Sequence, residues 1–292
     1  MYLVIVYVFM LKPSPLSRRT LVGLPVAFSL ACRDRRVSQP RAMDFFYGPN
    51  AYQHLDVYNS AREPGRAAPL VILIGGGGWQ SAPKPDAAGF VPMFTSRGDV
   101  VANAGYRVTS EARAPAAAVD VRDAIEAVRN RAAHWGADSR GMLLVGFSAG
   151  ALLALLSALA PTADLAGPQS HPRAVVSFWG VTDLADLLGG DHARLSAQRW
   201  LPESPERSSL ARRLSPINYD VSEAPALCAV HSVLDDVVPF AHSERLVAKY
   251  LKAGRPAKLI KLTHQGHAAP KKDYPGIFDE IFRFLDGLGI AA

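Results

Sequence analysis

A serine in the stretch GFSAG, residues 146–150, carries the first chemical signal of this sequence. The stretch matches G-x-S-x-G, the sharp strand-to-helix turn that holds a serine hydroxyl above the edge of an α/β sheet. Side chains at Gly146 and Gly150 would collide with the strand and the helix that pack against such a turn. Ser148 is therefore a candidate nucleophile, although so short a motif also occurs by chance in ordinary tight turns.

A serine hydroxyl needs a general base and an orienting carboxylate before it can attack a carbonyl carbon. Proteins with this turn carry the three groups in the order serine, acid, histidine. The segment HSVLDDVVP, which begins at His231, offers Asp235 and Asp236 after the apolar run ALCAV, and LTHQGHAA offers His264 and His267 after AKLIKL. Taken singly, these residues could instead be a solvated turn and a surface histidine, and at this point either aspartate and either histidine fits.

The glycine run GGGGWQ, residues 75–80, follows the apolar run PLVILI and is a candidate oxyanion hole. Glycine lets the backbone N–H groups of such a loop approach a developing oxyanion, together with the N–H of Ala149. One such donor lowers the barrier by ~3 kcal/mol. The alternatives are a plain turn or a phosphate loop, but the G-x-G-x-x-G spacing with a following acidic residue is absent.

Short apolar runs that alternate with amphipathic stretches predict the elements that hold these groups. Strands are expected at 69–74, 106–110, 142–146, 174–179, 226–230 and 257–262, and helices at 87–104, 118–133, 149–160, 246–251 and 277–288. This alternation predicts an α/β protein with a mostly parallel sheet, helices on both faces, and chemistry at the carboxyl ends of the strands. Residues 181–225 interrupt the pattern and are expected to form a lid or a pocket wall.

Charge and cysteine content exclude several classes of function. The chain of 292 residues has a formal charge of +6, but residues 1–41 alone hold seven Lys and Arg and one Asp, so the remainder is formally neutral. No basic stripe therefore indicates a nucleic-acid partner. The two cysteines, Cys32 and Cys228, form no disulfide framework and no metal spacing, and the predicted chemistry needs neither a metal nor a cofactor.

The first 41 residues have the pattern of an export signal. A basic stretch precedes an apolar stretch at 21–31, which is too short to span a bilayer, and small residues follow. Arg18 and Arg19 resemble a twin-arginine signal, and Cys32 resembles the lipid-attachment cysteine of bacterial lipoproteins. We therefore expect a bacterial protein that is periplasmic, or anchored through Cys32 on the outer side of the inner membrane; a helix without a targeting role is the alternative.

Beyond the leader, the sequence resembles the α/β-hydrolase esterases, in the branch that contains bifunctional feruloyl and acetyl-xylan esterases, carboxylesterases and kynurenine formamidases. The resemblance rests on GGGGWQSAPK, GFSAG, SPINYDVSEAPALCAVHS, DDVVPF and QGH. It implies one hydrolase domain over residues 42–292. It also implies Asp235 rather than Asp236 as the acid, His267 rather than His264 as the base, and the N–H groups of Gly76, Gly77 and Ala149 as oxyanion donors.

The resemblance further implies a serine esterase that acts on a small ester with a short or aromatic acyl group. Trp79 is expected to line its pocket, with a place in the core as the alternative. Gly75 replaces the histidine that starts the family's glycine loop, which is expected to loosen the oxyanion hole. Two other functions stay open: an amidase or formamidase with the same triad, and a binding protein that keeps the fold with little or no activity.

Overall fold

The described residues form one eight-stranded sheet with the order β1-β2-β4-β3-β5-β6-β7-β8. Its strands are β1 (Ala42–Phe46), β2 (His54–Tyr58), β3 (Ala68–Ile74), β4 (Val100–Ala104), β5 (Ala137–Phe147), β6 (Ala174–Phe178), β7 (Ala226–Ser232) and β8 (Ala257–Leu262). β2 is antiparallel to both of its neighbours, and every other pair is parallel. The carboxyl ends of β3 and β5 to β8 therefore lie along one edge.

This computed structural model describes residues 42–59, 67–81, 83–190, 194–263 and 266–290. The predicted export signal over residues 1–41, with Arg18, Arg19 and Cys32, lies outside the described residues, and so does the candidate His264. In the described part of the chain, no helix is both long enough and apolar enough to cross a membrane.

Nine α-helices lie within these ranges and cover the sheet on both faces. They are α1 (Pro83–Ala88), α2 (Val91–Thr95), α3 (Ala116–Arg131), α4 (Ala149–Leu159), α5 (Leu184–Gly189), α6 (Arg194–Trp200), α7 (Arg207–Arg213), α8 (Ala241–Lys252) and α9 (Tyr274–Gly287). Alternate residues of β3 enter two separate apolar cores, one with α3, α4 and α8 and the other with α2 and α9. A mostly parallel sheet with helices on both faces is the arrangement that the sequence predicts, so the predicted fold class is confirmed.

The prediction of a helix at 87–104 and a strand at 106–110 is wrong. Two short helices, α1 and α2, occupy the first part, Gly98 follows with φ +95°, and the strand β4 comes next, six residues before its predicted position. All five residues of β4 are buried between β2 and β3. Burial on both faces removes the alternation that distinguishes a strand from a buried helix, so the apolar run 100–104 was assigned to the wrong element.

The interruption at 181–225 contains the three short helices α5, α6 and α7. Arg113 and Ala114 contact this region through hydrogen bonds to the carbonyls of Leu201 and Trp200. The strands β1 and β2, which precede the predicted elements, extend the sheet at its far edge and were not predicted.

Candidate active site

Ser148 lies on a strained turn between β5 and α4. Its backbone has φ 52° and ψ −118°, a conformation that L side chains rarely adopt, and its N–H donates to the Phe178 carbonyl at 2.9 Å. A Cβ at Gly146 would lie 2.4 Å from Ala151 Cα, and one at Gly150 would lie 2.1 Å from the Ile74 carbonyl oxygen. The predicted steric need for both glycines is confirmed.

The loops after β5, β7 and β8 bring three predicted side chains into a hydrogen-bonded chain. Ser148 Oγ lies 2.9 Å from His267 Nε2, and His267 Nδ1 lies 3.0 and 2.9 Å from the two carboxylate oxygens of Asp235. His267 is half-buried, whereas Asp235 is only 7% exposed. This is the geometry in which an imidazole can take the proton of a serine hydroxyl while a carboxylate sets its tautomer. Asp236, the rejected alternative, is exposed.

The Asp235 carboxylate is held in its ionised form by several donors. Oδ1 accepts the backbone N–H groups of Val237 and Val238, both at 2.9 Å, in a turn that the aspartate itself closes. Burial alone would raise the pKa of Asp235, but hydrogen bonds from His231, His267 and the Val238 N–H hold it well below its ordinary value. The carboxylate therefore stays charged behind His267 at any pH near neutrality.

His231 is a second histidine on this carboxylate, and the sequence analysis gave it no role. It is fully buried, and its Nε2 lies 3.0 Å from Asp235 Oδ2 and 3.0 Å from the Val238 carbonyl oxygen. Both neighbours are acceptors, so Nε2 carries the proton, and Nδ1 accepts the hydroxyl of Ser243 at 2.7 Å. The available signal was a histidine four residues before the acid, at the end of a buried strand.

The glycine loop after β3 corrects one predicted oxyanion donor. The N–H of Gly76 donates to Asp86 Oδ2 at 2.8 Å, so it is not directed at a substrate oxygen. Gly77 and Gly78 both line the cavity in front of Ser148, with φ +88° and +59°. Within the described residues, the N–H groups of Gly77, Gly78 and Ala149 have no protein acceptor. We therefore expect Gly78, rather than Gly76, to complete the set of oxyanion donors.

Gly75, at the position where the family resemblance implies a histidine, has a steric reason to lack a side chain. A Cβ on Gly75 would lie 1.8 Å from the Pro83 carbonyl oxygen, so no side chain fits. The loop is instead tied down by Tyr106, a fully buried residue whose hydroxyl lies 2.8 Å from the Gly75 carbonyl oxygen and 3.0 Å from that of Gly76. Tyr106 therefore opposes the expected loosening of the loop. No motif in the sequence marks this tyrosine.

The far end of the loop is fastened to the 181–225 region. Trp79 stacks on Trp200 with ring centroids 4.4 Å apart and an interplanar angle of 9°. The amide of Gln80 donates to Ser196 Oγ at 3.0 Å and accepts from Arg199 at 2.8 Å. Trp79 borders the cavity yet is only 1% exposed, so its larger part belongs to the core. Its contact with a substrate stays a prediction.

A cavity of about 350 Å³ opens in front of the hydrogen-bonded chain. One wall is aromatic: Phe90 stacks on Phe147 with centroids 4.2 Å apart and contacts Tyr274 at 4.8 Å. Val181 and Ser196 extend the lining from the 181–225 region, which supports the predicted pocket wall. Space of this size and composition suits a small or aromatic group.

Two other features lie apart from this site. A cavity of about 460 Å³ is lined mainly by residues that precede β6, β7 and β8, with residues from the ends of α4 and α9, and by none of the predicted site residues. Asp44, His54 and Asp56 have ligand atoms within 4.8 Å of one another on β1 and β2, but Asp56 already pairs with Lys84 at 2.7 Å. Neither feature contributes to the chemistry of Ser148.

Comparison with known proteins gives this geometry a context. The family profile BD-FAE matches residues 55–250. Esterase LipQ of Mycobacterium tuberculosis is 30% identical over 222 residues, which are 72% of this chain and 53% of LipQ. Kynurenine formamidase of Danio rerio is 30% identical over 201 residues, which are 66% of this chain and 65% of that protein. The chain thus spans about half the length of LipQ.

A solved structure agrees with the fold over most of the chain. The butyrate-bound structure of esterase Est2 from Thermogutta terrifontis aligns with a TM-score of 0.74 and 26% identity, over 87% of this chain and 96% of Est2. The predicted α/β-hydrolase architecture is therefore confirmed, and the site occupies the sheet edge at which chemistry gathers in open α/β sheets.

Proposed function

Since the chain belongs to the BD-FAE family and has the α/β-hydrolase fold, we propose that it is a serine hydrolase that cleaves carboxylic esters with a short or aromatic acyl group. The observation that carries the proposal is the 2.9 Å contact between Ser148 Oγ and His267 Nε2, backed by Asp235. The similarity to LipQ and Est2, both named as esterases, supports the same reaction.

The reaction proceeds in two halves. Ser148 Oγ attacks the ester carbonyl carbon while His267 Nε2 takes its proton, and the N–H groups of Gly77, Gly78 and Ala149 receive the oxyanion. His267 then gives the proton to the departing alcohol, which leaves an acyl group on Ser148. Water repeats the sequence and releases the acid. Asp235 keeps the imidazole proton on Nδ1 and stabilises the imidazolium that forms.

A fluorophosphonate label tests the nucleophile directly. We expect the wild-type chain to be labelled and Ser148→Ala to stay unlabelled. Ser196→Ala is the matched control, because Ser196 also borders the cavity but its hydroxyl bonds Gln80 and it should leave labelling intact. Labelling of Ser148→Ala would refute Ser148 as the nucleophile, and an unlabelled wild type would favour the binding protein over the enzyme.

The same triad could hydrolyse an amide, and the similarity to a kynurenine formamidase favours this second candidate. One observation weighs against it. No Lys or Arg lines the cavity among the residues that the structure describes, so the α-carboxylate of N-formylkynurenine would have no cationic partner there. Parallel measurements of kcat/KM on p-nitrophenyl acetate and N-formylkynurenine decide between the two; a higher value for the second would make the formamidase the better assignment.

We also propose that the protein is exported, on the strength of the sequence pattern over residues 1–41 alone. In a bacterial host, the wild-type chain should be found outside the cytoplasm, and replacement of Arg18 and Arg19 by lysine should retain it inside. Cys32→Ala should release it from the membrane fraction if lipid is attached there. Retention of the wild-type chain in the cytoplasm refutes the proposal.

A further inference from the structure

A carboxylate, Asp86, stands at the mouth of the cavity and is not needed for the hydrolysis described above. Its side chain is exposed and borders the same space as Ser148. A Cβ on Gly76 would lie 3.1 Å from Asp86 Oδ2 and 3.1 Å from Ser148 Cβ, so these two atoms lie within about 6 Å of each other. The charge is thus close enough to act on groups bound near the nucleophile.

The negative charge of Asp86 is not neutralised by a cation within the cavity. The described lining residues include no Lys or Arg. Lys84, two residues away on the same helix, extends elsewhere and pairs with Asp56 at 2.7 Å. Burial raises the pKa of the nearby Tyr274, and the charge of Asp86 acts in the same direction.

The hydrogen bond that Asp86 accepts does not require a charged side chain at this position. The hydrogen bond from the Gly76 N–H would be accepted equally well by the amide oxygen of an asparagine. A carboxylate moreover opposes catalysis here, because it raises the energy of the oxyanion that forms between Ala149 and the glycine loop. The presence of a carboxylate that disfavours ester hydrolysis in general is explained if it improves the binding of particular substrates.

We propose that Asp86 is a specificity-determining residue that selects esters carrying a positive charge in the acyl or alcohol group and rejects anionic esters. This proposal rests on the proposed ester hydrolysis. An ammonium or trimethylammonium group in this cavity would be within reach of both the Asp86 carboxylate and the aromatic wall of Phe90 and Tyr274. Carboxylates and aromatic rings are the two environments that stabilise such a cation.

Three acetyl thioesters of matched size test the proposal: acetylthiocholine, its neutral tert-butyl analogue 3,3-dimethylbutyl thioacetate, and 3-(acetylthio)propanesulfonate. The released thiol is measured. In the wild type we expect kcat/KM to fall in the order cation, neutral, anion, with at least a tenfold ratio between cation and anion. Asp86→Asn should reduce that ratio to within about threefold, by slowing the cationic thioester and speeding the anionic one.

Asp279→Asn is the matched control, since it removes an exposed carboxylate of α9 outside the cavity lining and should preserve the wild-type ratio. Added salt should shrink the wild-type ratio, which provides a second measurement that needs no variant. A ratio unaffected by both Asp86→Asn and salt overturns the proposal, as does an equal loss on all three thioesters. If the wild type also fails on p-nitrophenyl acetate, the ester hydrolysis itself is refuted.

Discussion

Replacement of His231 by leucine should slow the chemical step without affecting substrate binding. His231 supplies one of the side-chain N–H groups that hold the Asp235 carboxylate facing His267, and it does not line the cavity. A hydrogen bond to a charged acceptor contributes about 1.5–3 kcal/mol. His267 and two backbone N–H groups still hold the carboxylate in the variant. We therefore expect the activation barrier of the chemical step to rise by about half of this hydrogen-bond energy. That corresponds to a roughly four- to twelvefold fall in kcat with KM unchanged.

The same substitution should destabilise the fold. The hydroxyl of Ser243 and the carbonyl of Val238 would lose the imidazole that now bonds both of them in the core. Each unsatisfied buried group costs about 1–3 kcal/mol. His231→Gln, whose amide N–H can reach the same carboxylate, is the matched control and should recover most of the loss in kcat.

The measurement is kcat and KM on p-nitrophenyl acetate, corrected for the folded fraction by circular dichroism, alongside thermal unfolding. A purely structural histidine would lower the melting temperature in the leucine variant and leave kcat per folded molecule within twofold of wild type. That outcome, or an equal loss of kcat in the glutamine and leucine variants, refutes the positioning role of His231.

Three further predictions concern other parts of the site and the core. Tyr106→Phe removes the hydroxyl that bonds two carbonyls of the glycine loop, and kcat on p-nitrophenyl acetate should fall several-fold with unchanged KM; an unchanged kcat would mean that the loop does not need this tie. Asp235→Asn places an amide N–H against His267 and should lower kcat about 10⁴-fold, whereas the exposed Asp236→Asn should remain near wild type. Burial lowers the pKa of His242 from 6.5 to about 4, although the charge of Asp186 opposes this shift. The neutral imidazole therefore makes its full contribution to the free energy of unfolding above pH 6.5, and this contribution is lost as the pH falls towards 4. Urea unfolding between pH 7 and pH 4.5 should show about 2.5 kcal/mol more loss in the wild type than in His242→Asn; equal losses would contradict this account.

The positions of Ser148, Asp235 and His267 could be predicted because each follows a strand of the same parallel sheet. Strand order along the chain then places all three loops at one edge, whatever the details of packing. The choice between Asp235 and Asp236 needed more than this, since both lie on the same loop. The structure separates them by burial: Asp235 is enclosed by donors, and Asp236 is exposed.

The parts that sequence reasoning missed depend on contacts between distant segments. The strand at 100–104 was misassigned because burial on both faces hides its period, and Gly76 was chosen as a donor because nothing in GGGGWQ reveals that Asp86 accepts its N–H. His231 was visible only as an unexplained histidine near the acid. Such contacts arise from packing and have no local signature.

Two features of the site, the lack of a side chain at Gly75 and the carboxylate of Asp86, have one physical origin. Helix α1 packs so closely against the glycine loop that the Pro83 carbonyl occupies the space a side chain at position 75 would need. The same packing brings Asp86, three residues further along α1, against the Gly76 N–H and the mouth of the cavity. The absence of a histidine in the loop is therefore not a sign of lost activity. The loop without a histidine instead lies against a carboxylate at the mouth of the cavity, whose charge we propose acts on the choice of substrate.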